Sequence, residues 1–593
     1  MSLYDEASLV MIPSGYKEDK LYSIKPTSGD GDFTFSRGTD TATRVNASGL
    51  IEKERGNLVL QSNSFSTSPF LTSNVSVTSG QAGYDGTNDA WELSTTGVNG
   101  FENLYQNISF TGVHTISVYA KAGSKAYLTI RSLTSDFRVE FKLDDGTHRT
   151  IFGSPINTFM DDAGNGWYRC GFTANFSSAS ALVFYPQQIG IVDAGNIYIQ
   201  DAQLEKGLVA TDYIETTTSA VYEGITDNLP RLDYSGGASC PSLLLEPQRT
   251  NIHTNSEYVD AYVKSRSTIT TNAAISPEGV QNASKVVPLS TSNGWAGVNA
   301  PNYSFTSGQT YTLSVFAKAG EYDYCQVGGS TPAFSGSFAT INLTNGVVEH
   351  QSGITASTED YGSGWYRISF THTAIATASS PIGFFAVYST AVSSRLATQV
   401  GDDVSGVYMY GWQAEQGSYP TSYIPTYGTS ATRAAEENVN VQNLNTNGVT
   451  TANSAYSLFF DLSAEPVLDV ADGNSLILNS YNAQNLSSSY ITLTKYYQDA
   501  DGKIRFISNI DSSTIGYVTS TNKKFAMVVN GTTIKVFTDG GLELTYTATN
   551  NHNGIGSLKI SNGSSNRTSS NYSQVLLFDS VLTDAEAIAL TTL

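Results

Sequence analysis

Histidine, cysteine, methionine and tryptophan are sparse in this 593-residue sequence, at 6, 3, 5 and 5 residues, and charged side chains make up only 14% of it. The cysteines, Cys170, Cys240 and Cys325, are odd in number and far apart. That excludes a disulfide framework or zinc cluster as an organising device, and all three are expected as buried thiols. The histidines, His114, His148, His253, His350, His372 and His552, show no HExxH or paired-ligand spacing. No GxSxG elbow and no phosphate-cradling loop occurs. Basic residues are short too: 32 Lys plus Arg face 53 Asp plus Glu, a net charge of −21. Such a chain repels phosphate backbones and anionic lipid, so neither nucleic acid nor a membrane surface is an expected partner. No apolar run is long enough to cross a bilayer, and the first residues, with Asp5 and Glu6, do not read as a secretory signal.

What is abundant points one way. Tyr (35) and Gly (52) accompany many Ser, Thr, Asn and β-branched residues. The mixture favours short strands and tight polar turns over helices. At 40% hydrophobic residues the chain can bury cores. Its length asks for three or four of them.

Reading the chain against itself reveals a long repeat. The block SFTGVHTISVYAKAG, ending at Gly123, returns as SFTSGQTYTLSVFAKAG, ending at Gly320. GNGWYRCGF around Trp167 returns as GSGWYRISF around Trp365. DAQLEKGLVATDYIETT from Asp201 returns as GWQAEQGSYPTSYIPTY from Gly411. The spacing between equivalents widens along the repeat, from 193 (Asp85 to Glu278) through 198 (Trp167 to Trp365) to 210 (Gln203 to Gln413). Variable loops on a shared scaffold produce that drift. Within the blocks, Ile116, Val118 and Ala120 alternate with Ser117, Tyr119 and Lys121, and Leu313, Val315 and Ala317 with Ser314, Phe316 and Lys318, as half-buried strands do.

The expected architecture is all-β, with tandem antiparallel β-sandwich (jelly-roll) domains and a C-terminal concanavalin-A-like sandwich. Residues 1–55 are expected as an N-terminal leader, 56–220 as the first sandwich and 221–244 as a linker. Residues 245–435 form the second sandwich, 436–455 a polar linker and 456–593 the third sandwich. The third closes with Leu582-Thr-Asp-Ala-Glu-Ala-Ile-Ala-Leu590, where Thr583 and Glu586 have capping-box spacing for one short helix.

The order AKAG, G-x-GWYR, Q-x-E-x-G, T-x-YI resembles carbohydrate-binding-module-like jelly rolls of phage structural proteins. VLLFDSVLTDAEAIAL looks like the end of a concanavalin-A-like, laminin-G-type domain. FTFSRGTDTATRVNASGLIE and LPRLDYSGGASCPSLLLEPQRTN are similar to segments of head and tail fibre proteins of tailed phages. The resemblance implies a virion surface fibre, a homotrimer as fibres usually are, docked on capsid or tail proteins through the leader and binding host-surface polysaccharide. The competing expectations are a structural decoration protein without a ligand and, weaker, a polysaccharide hydrolase.

The site residues follow from these readings. A hydrolase needs two carboxylates across a sugar. Glu205 and Glu415 are equivalent residues in the repeated blocks beside Gln203 and Gln413, and are expected to hydrogen-bond within the scaffold, so no catalytic residue is assigned. Trp167, Trp365 and Trp412 are expected in cores. Trp295, among small polar residues, with Tyr322 and Tyr324 in Gly-Glu-Tyr-Asp-Tyr-Cys, is the candidate glycan platform, because sugar rings stack on exposed aromatics. The competing reading is packing, the usual fate of aromatics in a sandwich. Asp85/Asp89, Asp161/Asp162 and Asp402/Asp403 offer hard oxygens to a structural calcium, yet follow no calcium-loop pattern, and no metal or cofactor is assigned.

Overall fold

Strict alternation in the repeated blocks decides which side of each strand is buried. In a computed structural model of the chain, Ile116, Val118 and Ala120 lie in one core and Leu313, Val315 and Ala317 in another, all at most 2% exposed. The structure describes every residue except 1, 292, 452–453, 464–466, 469–473, 482–489, 497–503, 509–512, 519–522, 553, 561–567 and 593. The described chain is all-β, built of antiparallel sheets, with a capped helix, Asp584–Thr591, near its end.

The second copy packs two six-stranded sheets face to face. One contains Thr310–Ala319 between Trp365–Thr373 and Val407–Gln416; the other contains Tyr324–Gly329 between Phe338–Asn342 and Gly383–Tyr388. The first copy does the same work with longer strands. Asn103–Ala122 and Trp167–Tyr185 pair from Leu104–Phe184 to Lys121–Trp167, with register slips between Asn107 and Gly112. Before the slips the first of them is flanked by Phe70–Ser73, beyond them by Ala194–Lys206, so one bent strand pair serves both layers. Each copy is closed by pairing of its ends, Arg55–Asn57 with Val221–Glu223 and Arg249–Asn251 with Ala431–Arg433.

The conserved-looking blocks are a duplicated latch. Gln203 donates to Glu205 at 2.7 Å, and Glu205 accepts from the Thr211 amide and hydroxyl at 3.0 and 2.6 Å. Gln413, Glu415 and Thr421 repeat this at 2.8, 2.8 and 2.7 Å. Arg169 and Arg367 cross the latch to the carbonyls of Thr211 and Thr421 at 2.6 and 2.7 Å. Trp167, Trp365 and Trp412 are in cores. The copies meet at Gly112, whose amide neighbour Val113 donates to the Tyr427 carbonyl at 3.1 Å. A Cβ at Gly112 would sit 2.0 Å from that oxygen, at a φ of +86°, so only glycine allows the approach.

The segments expected as leader and linkers are instead woven into the third sandwich. Leu9–Met11 and Ser242–Leu245 lie end to end along Thr568–Phe578, through Leu9–Leu577 and Leu243–Tyr572. Phe33–Ser36 pairs with Glu437–Val441, which pairs with Ser557–Lys559. Leu9, Met11, Phe33, Leu243, Leu245, Val439 and Val441 share one core with Leu458, Phe460 and Phe525. Each segment carries only two or three apolar residues, too short a pattern to distinguish a strand from a polar connector when its partner is hundreds of residues away. Cys240 also departs from expectation: Cys170 and Cys325 are buried, but Cys240 is exposed on the turn that follows Gly236-Gly237.

A wholly buried ionic network fastens these crossings. The Arg231 guanidinium meets Glu246 at 2.8 Å and Glu436 at 2.6 Å. Arg433 meets Glu246 at 2.8 Å, and Arg37 reaches Glu436 at 3.6 Å. The Glu246 amide donates to Glu436 at 2.7 Å. Nearby, the Lys53 ammonium lies 2.8 Å from Glu257 and 2.6 Å from Glu278, tying the strand Ile51–Lys53 to the second copy.

Two predictions follow from these packings. Leu9→Ala is expected to cost about 2–5 kcal/mol in urea titration of the full chain; an unchanged midpoint would make residues 1–55 a detached leader after all. Burial pushes the Glu246 carboxyl up, but Arg433 and Arg231 outweigh it and hold the group at about 2, below its ordinary 4.5. Its stabilisation is therefore complete above the unfolded-state value and lost as pH falls through about 2. Thermal melts from about pH 5 down to about pH 2 should show a falling midpoint, and Glu246→Gln should flatten that dependence while lowering stability at neutral pH.

Candidate functional site

In each copy the sheet containing Tyr127 or Tyr324 has one side in the core and one turned outward, and the outward sides differ. In the second copy, Phe338, Phe384, Ala386 and Tyr388 form an apolar cluster on that side, with Trp295 and Tyr324 half-buried against it. Trp295 is tilted 56° to Phe384 with ring centroids 6.0 Å apart. Tyr322 is not with them; at 9% exposure it belongs to the core between the sheets. The structure thus brings two of the three candidate aromatics together and withdraws the third, because Tyr322 and Tyr324, two apart, are separated by the turn that begins the strand.

The aromatic face is then roofed over. Val392, Leu396 and Ala397 pack on the same cluster. Gln326 donates to the Ser394 carbonyl at 3.1 Å and accepts from the Leu396 amide at 2.7 Å. Thr340 donates to the Val392 carbonyl at 2.8 Å, and the Tyr388 hydroxyl to the Ala397 carbonyl at 3.2 Å. Arg395 donates to the Gly329 carbonyl at 2.9 Å with its guanidinium 4.9 Å above the Phe384 ring. The segment 389–399 is therefore a built cover and not a passing loop. It lies between the WYR and Q-x-E blocks, where the repeat spacing widens from 198 to 210.

The first copy lacks that extra length, yet its equivalent patch is covered as well, at 1–3% exposure. Ala181, Val183 and Tyr185 form its apolar patch, flanked by Tyr105, Leu133 and Ile189. Beside it, Tyr127, Glu140, Lys142, Thr147, Arg149 and Gln188 line a hollow of about 200 Å³. Arg149 donates to the buried Glu140 at 2.8 Å, while its own side chain is 60% exposed. Lys142 leans on Asp144 and Asp145 at 3.3 and 2.5 Å. Gln187, the neighbour of Gln188, is wholly buried, and neither atom of its side-chain amide has a hydrogen-bond partner among the described residues. An aromatic ring, a carboxylate and two cations thus meet around one hollow, a set suited to a polar, hydroxylated ligand.

Sequence reasoning missed this hollow because it sought tryptophan. The signal was present: Tyr127 follows the first AKAG block as Tyr324 follows the second, and the widened spacing marks which copy received extra chain. Glu205 and Glu415 serve the latch, as expected. The acidic pairs are engaged locally: Asp85 accepts from the Thr87 amide at 3.0 Å, and Asp402 from the Ser405 amide and hydroxyl at 2.6 Å each. Among the described residues no three His, Cys, Asp or Glu converge as metal ligands.

No family model matches the chain, and no curated protein matches it. Among solved structures, it is similar to the N-terminal CBM22-1–CBM22-2 tandem domain of Paenibacillus barcinonensis Xyn10C, at 13% identity and a TM-score of 0.17, over 60% of this chain and 97% of that one. It is also similar to the LG1–3 region of the laminin alpha2 chain, at 10% identity and a TM-score of 0.13, over 81% and 96% of the two chains. Scores of that size superpose little, and the β-sandwich architecture rests on the strand pairings themselves.

Arg395→Ala is expected to loosen the cover, raising acrylamide quenching and red-shifting the emission contributed by Trp295. Unchanged spectra would show that the segment 389–399 is held without its guanidinium anchor.

Proposed function

We propose that this chain is a non-enzymatic virion surface protein, a fibre of the head or tail, that binds host-surface polysaccharide through the hollow on its first sandwich lined by Tyr127, Lys142 and Arg149. The observation that carries the binding reading is the hollow of the first copy, where the Tyr127 ring meets Glu140, Lys142 and Arg149 beside the covered patch. Self-association into a trimer, as in the fibres the sequence resembles, would present three such hollows and raise avidity for a repetitive glycan. Attachment to capsid or tail proteins is assigned to the amino-terminal region, whose outer residues remain available although its strands are built into the third sandwich.

The roofed aromatic face of the second copy favours one alternative, a decoration protein that spaces or stabilises the particle and holds no sugar. The two readings separate in a single binding series on immobilised host polysaccharide. Tyr127→Ala combined with Lys142→Ala is expected to weaken retention about tenfold or more, as loss of an aromatic and a cationic contact does. Trp295→Ala is expected to leave it unchanged. Retention lost with Trp295→Ala and kept without Tyr127 and Lys142 would move the site to the second copy; no retention of the unaltered chain would leave the decoration reading.

A further inference from the structure

A second hollow lies away from both sheet faces. A cleft of about 440 Å³ opens where the strands Thr43–Val45 and Ile51–Lys53, the segment from Asp233 to Glu246, the second copy and the third sandwich meet. That volume is within the about 300–1,000 Å³ usual for small-molecule sites. Apolar wall is supplied by Val45, Leu244, Pro420 and Tyr423, and polar wall by Arg44, Asp233, Glu359, Tyr361 and Arg367.

Most of these polar groups already have partners. Arg44 donates to Glu52 at 2.8 Å and to the Tyr16 hydroxyl at 3.0 Å. Asp233 accepts from the Val45 and Ser235 amides at 2.8 and 3.1 Å. Arg367 donates from one end of its guanidinium to Ser314 and the Thr421 carbonyl, at 3.0 and 2.7 Å. Two groups, register partners across the strands Ala356–Asp360 and Trp365–Thr373, keep unused hydrogen-bonding capacity while lying close enough to attract each other. The Arg367 Nε, on a side chain only 5% exposed, has no hydrogen-bond partner among the described residues. Glu359 is exposed in the cleft wall, and its carboxylate makes no hydrogen bond to any described residue. A buried donor without an acceptor is costly, and a ligand that supplies one recovers that cost.

Charge narrows the ligand. An anion entering the cleft would face Asp233 and Glu359; a cation would face Arg44 and Arg367. A neutral molecule whose groups both donate and accept satisfies the leftover donor and the leftover acceptor together. Adjacent hydroxyls on a sugar ring have that property, and the tyrosines and aliphatic wall suit the ring's C–H face. We propose that this cleft is a second saccharide site, separate from the hollow of the first sandwich, taking a neutral mono- or disaccharide against the neighbouring Glu359 and Arg367. The assignment rests on the cleft's own chemistry and stands or falls apart from that hollow. Because four parts of the chain wall the cleft, an occupant would also bind them to one another.

Cys240 provides the readout, since it lines the cleft and is the exposed thiol while Cys170 and Cys325 are buried. The rate of maleimide modification of Cys240 is measured on the full chain with neutral hexoses and disaccharides, glucuronate and glucosamine, each at about 50 mM, above a millimolar dissociation constant. At least one neutral sugar is expected to slow modification about threefold or more, as near-saturation of the cleft requires. Glu359→Gln is expected to remove that protection, the rate in sugar being compared with the variant's own unliganded rate. The same series in Lys142→Ala keeps the result independent of the hollow on the first sandwich. Modification slowed by no neutral sugar, protection equal in Glu359→Gln, or protection greater with the charged sugars than with the neutral ones would each overturn the proposal.

Discussion

Arg231, held between Glu246 and Glu436 in a site with no solvent access, is the contact on which the rest of the structure depends. With Arg37 and Arg433 it makes a cluster of three guanidiniums and two carboxylates drawn from four separate places in the chain. Burying charges costs several kcal/mol per ion before attraction is counted, so the cluster is a poor source of net stability. What it supplies is discrimination. Any arrangement that leaves one member unpartnered forfeits about 3–5 kcal/mol, and only one threading of the amino-terminal segment, the crossing after the first copy and the end of the second copy partners them all. Burial pulls Arg37 down to about 10, with Glu436 opposing, and still leaves it charged at neutral pH.

That threading makes the third sandwich a composite. Its sheets take strands from residues 9–36, 232–245 and 437–441 as well as from the carboxyl-terminal region. The two repeated sandwiches are thus inserted, as loops inserted into a host domain would be, between strands of one sheet system. Their ends are pinned in the same way, by Arg55–Asn57 with Val221–Glu223 and Arg249–Asn251 with Ala431–Arg433. Such an arrangement displays two sandwiches on a fixed base, and the extra segment of the second copy covers that copy's outward face. The outward aromatics of that copy are spent on holding their own cover, whereas beside the covered patch of the first copy Tyr127, Lys142 and Arg149 line a hollow.

How much of this was legible in the sequence follows from the range of each signal. The alternation in SVYAKAG and SVFAKAG is local, and it gave the strands, their buried faces and the duplication. The latch residues were legible as a repeated set because Gln203 and Glu205 sit two apart and close their ring with Thr211 a few residues on. The helix cap was legible for the same reason, Thr583 and Glu586 being within one turn. The crossings were not, because Leu9 finds Leu577 and Thr34 finds Asn440, and three apolar residues specify no partner. The candidate site was half legible: Trp295 and Tyr324 do share a face, but whether a face is open depends on where a loop lands. Glu359 and Arg367, eight residues apart, gain their meaning only from Asp233 and Arg44 across the cleft.

Hydrogen exchange on the full chain and on Arg231→Met tests the central claim most directly. If the network locks sequence-remote strands into one cooperative unit, the amides of Leu9–Met11, Leu243–Leu245 and Val575–Leu577 exchange with matching opening free energies, and all three fall together in the variant. Loss of protection confined to the neighbourhood of residue 231, with Leu9–Met11 exchanging far faster than Val575–Leu577 in both proteins, would contradict it.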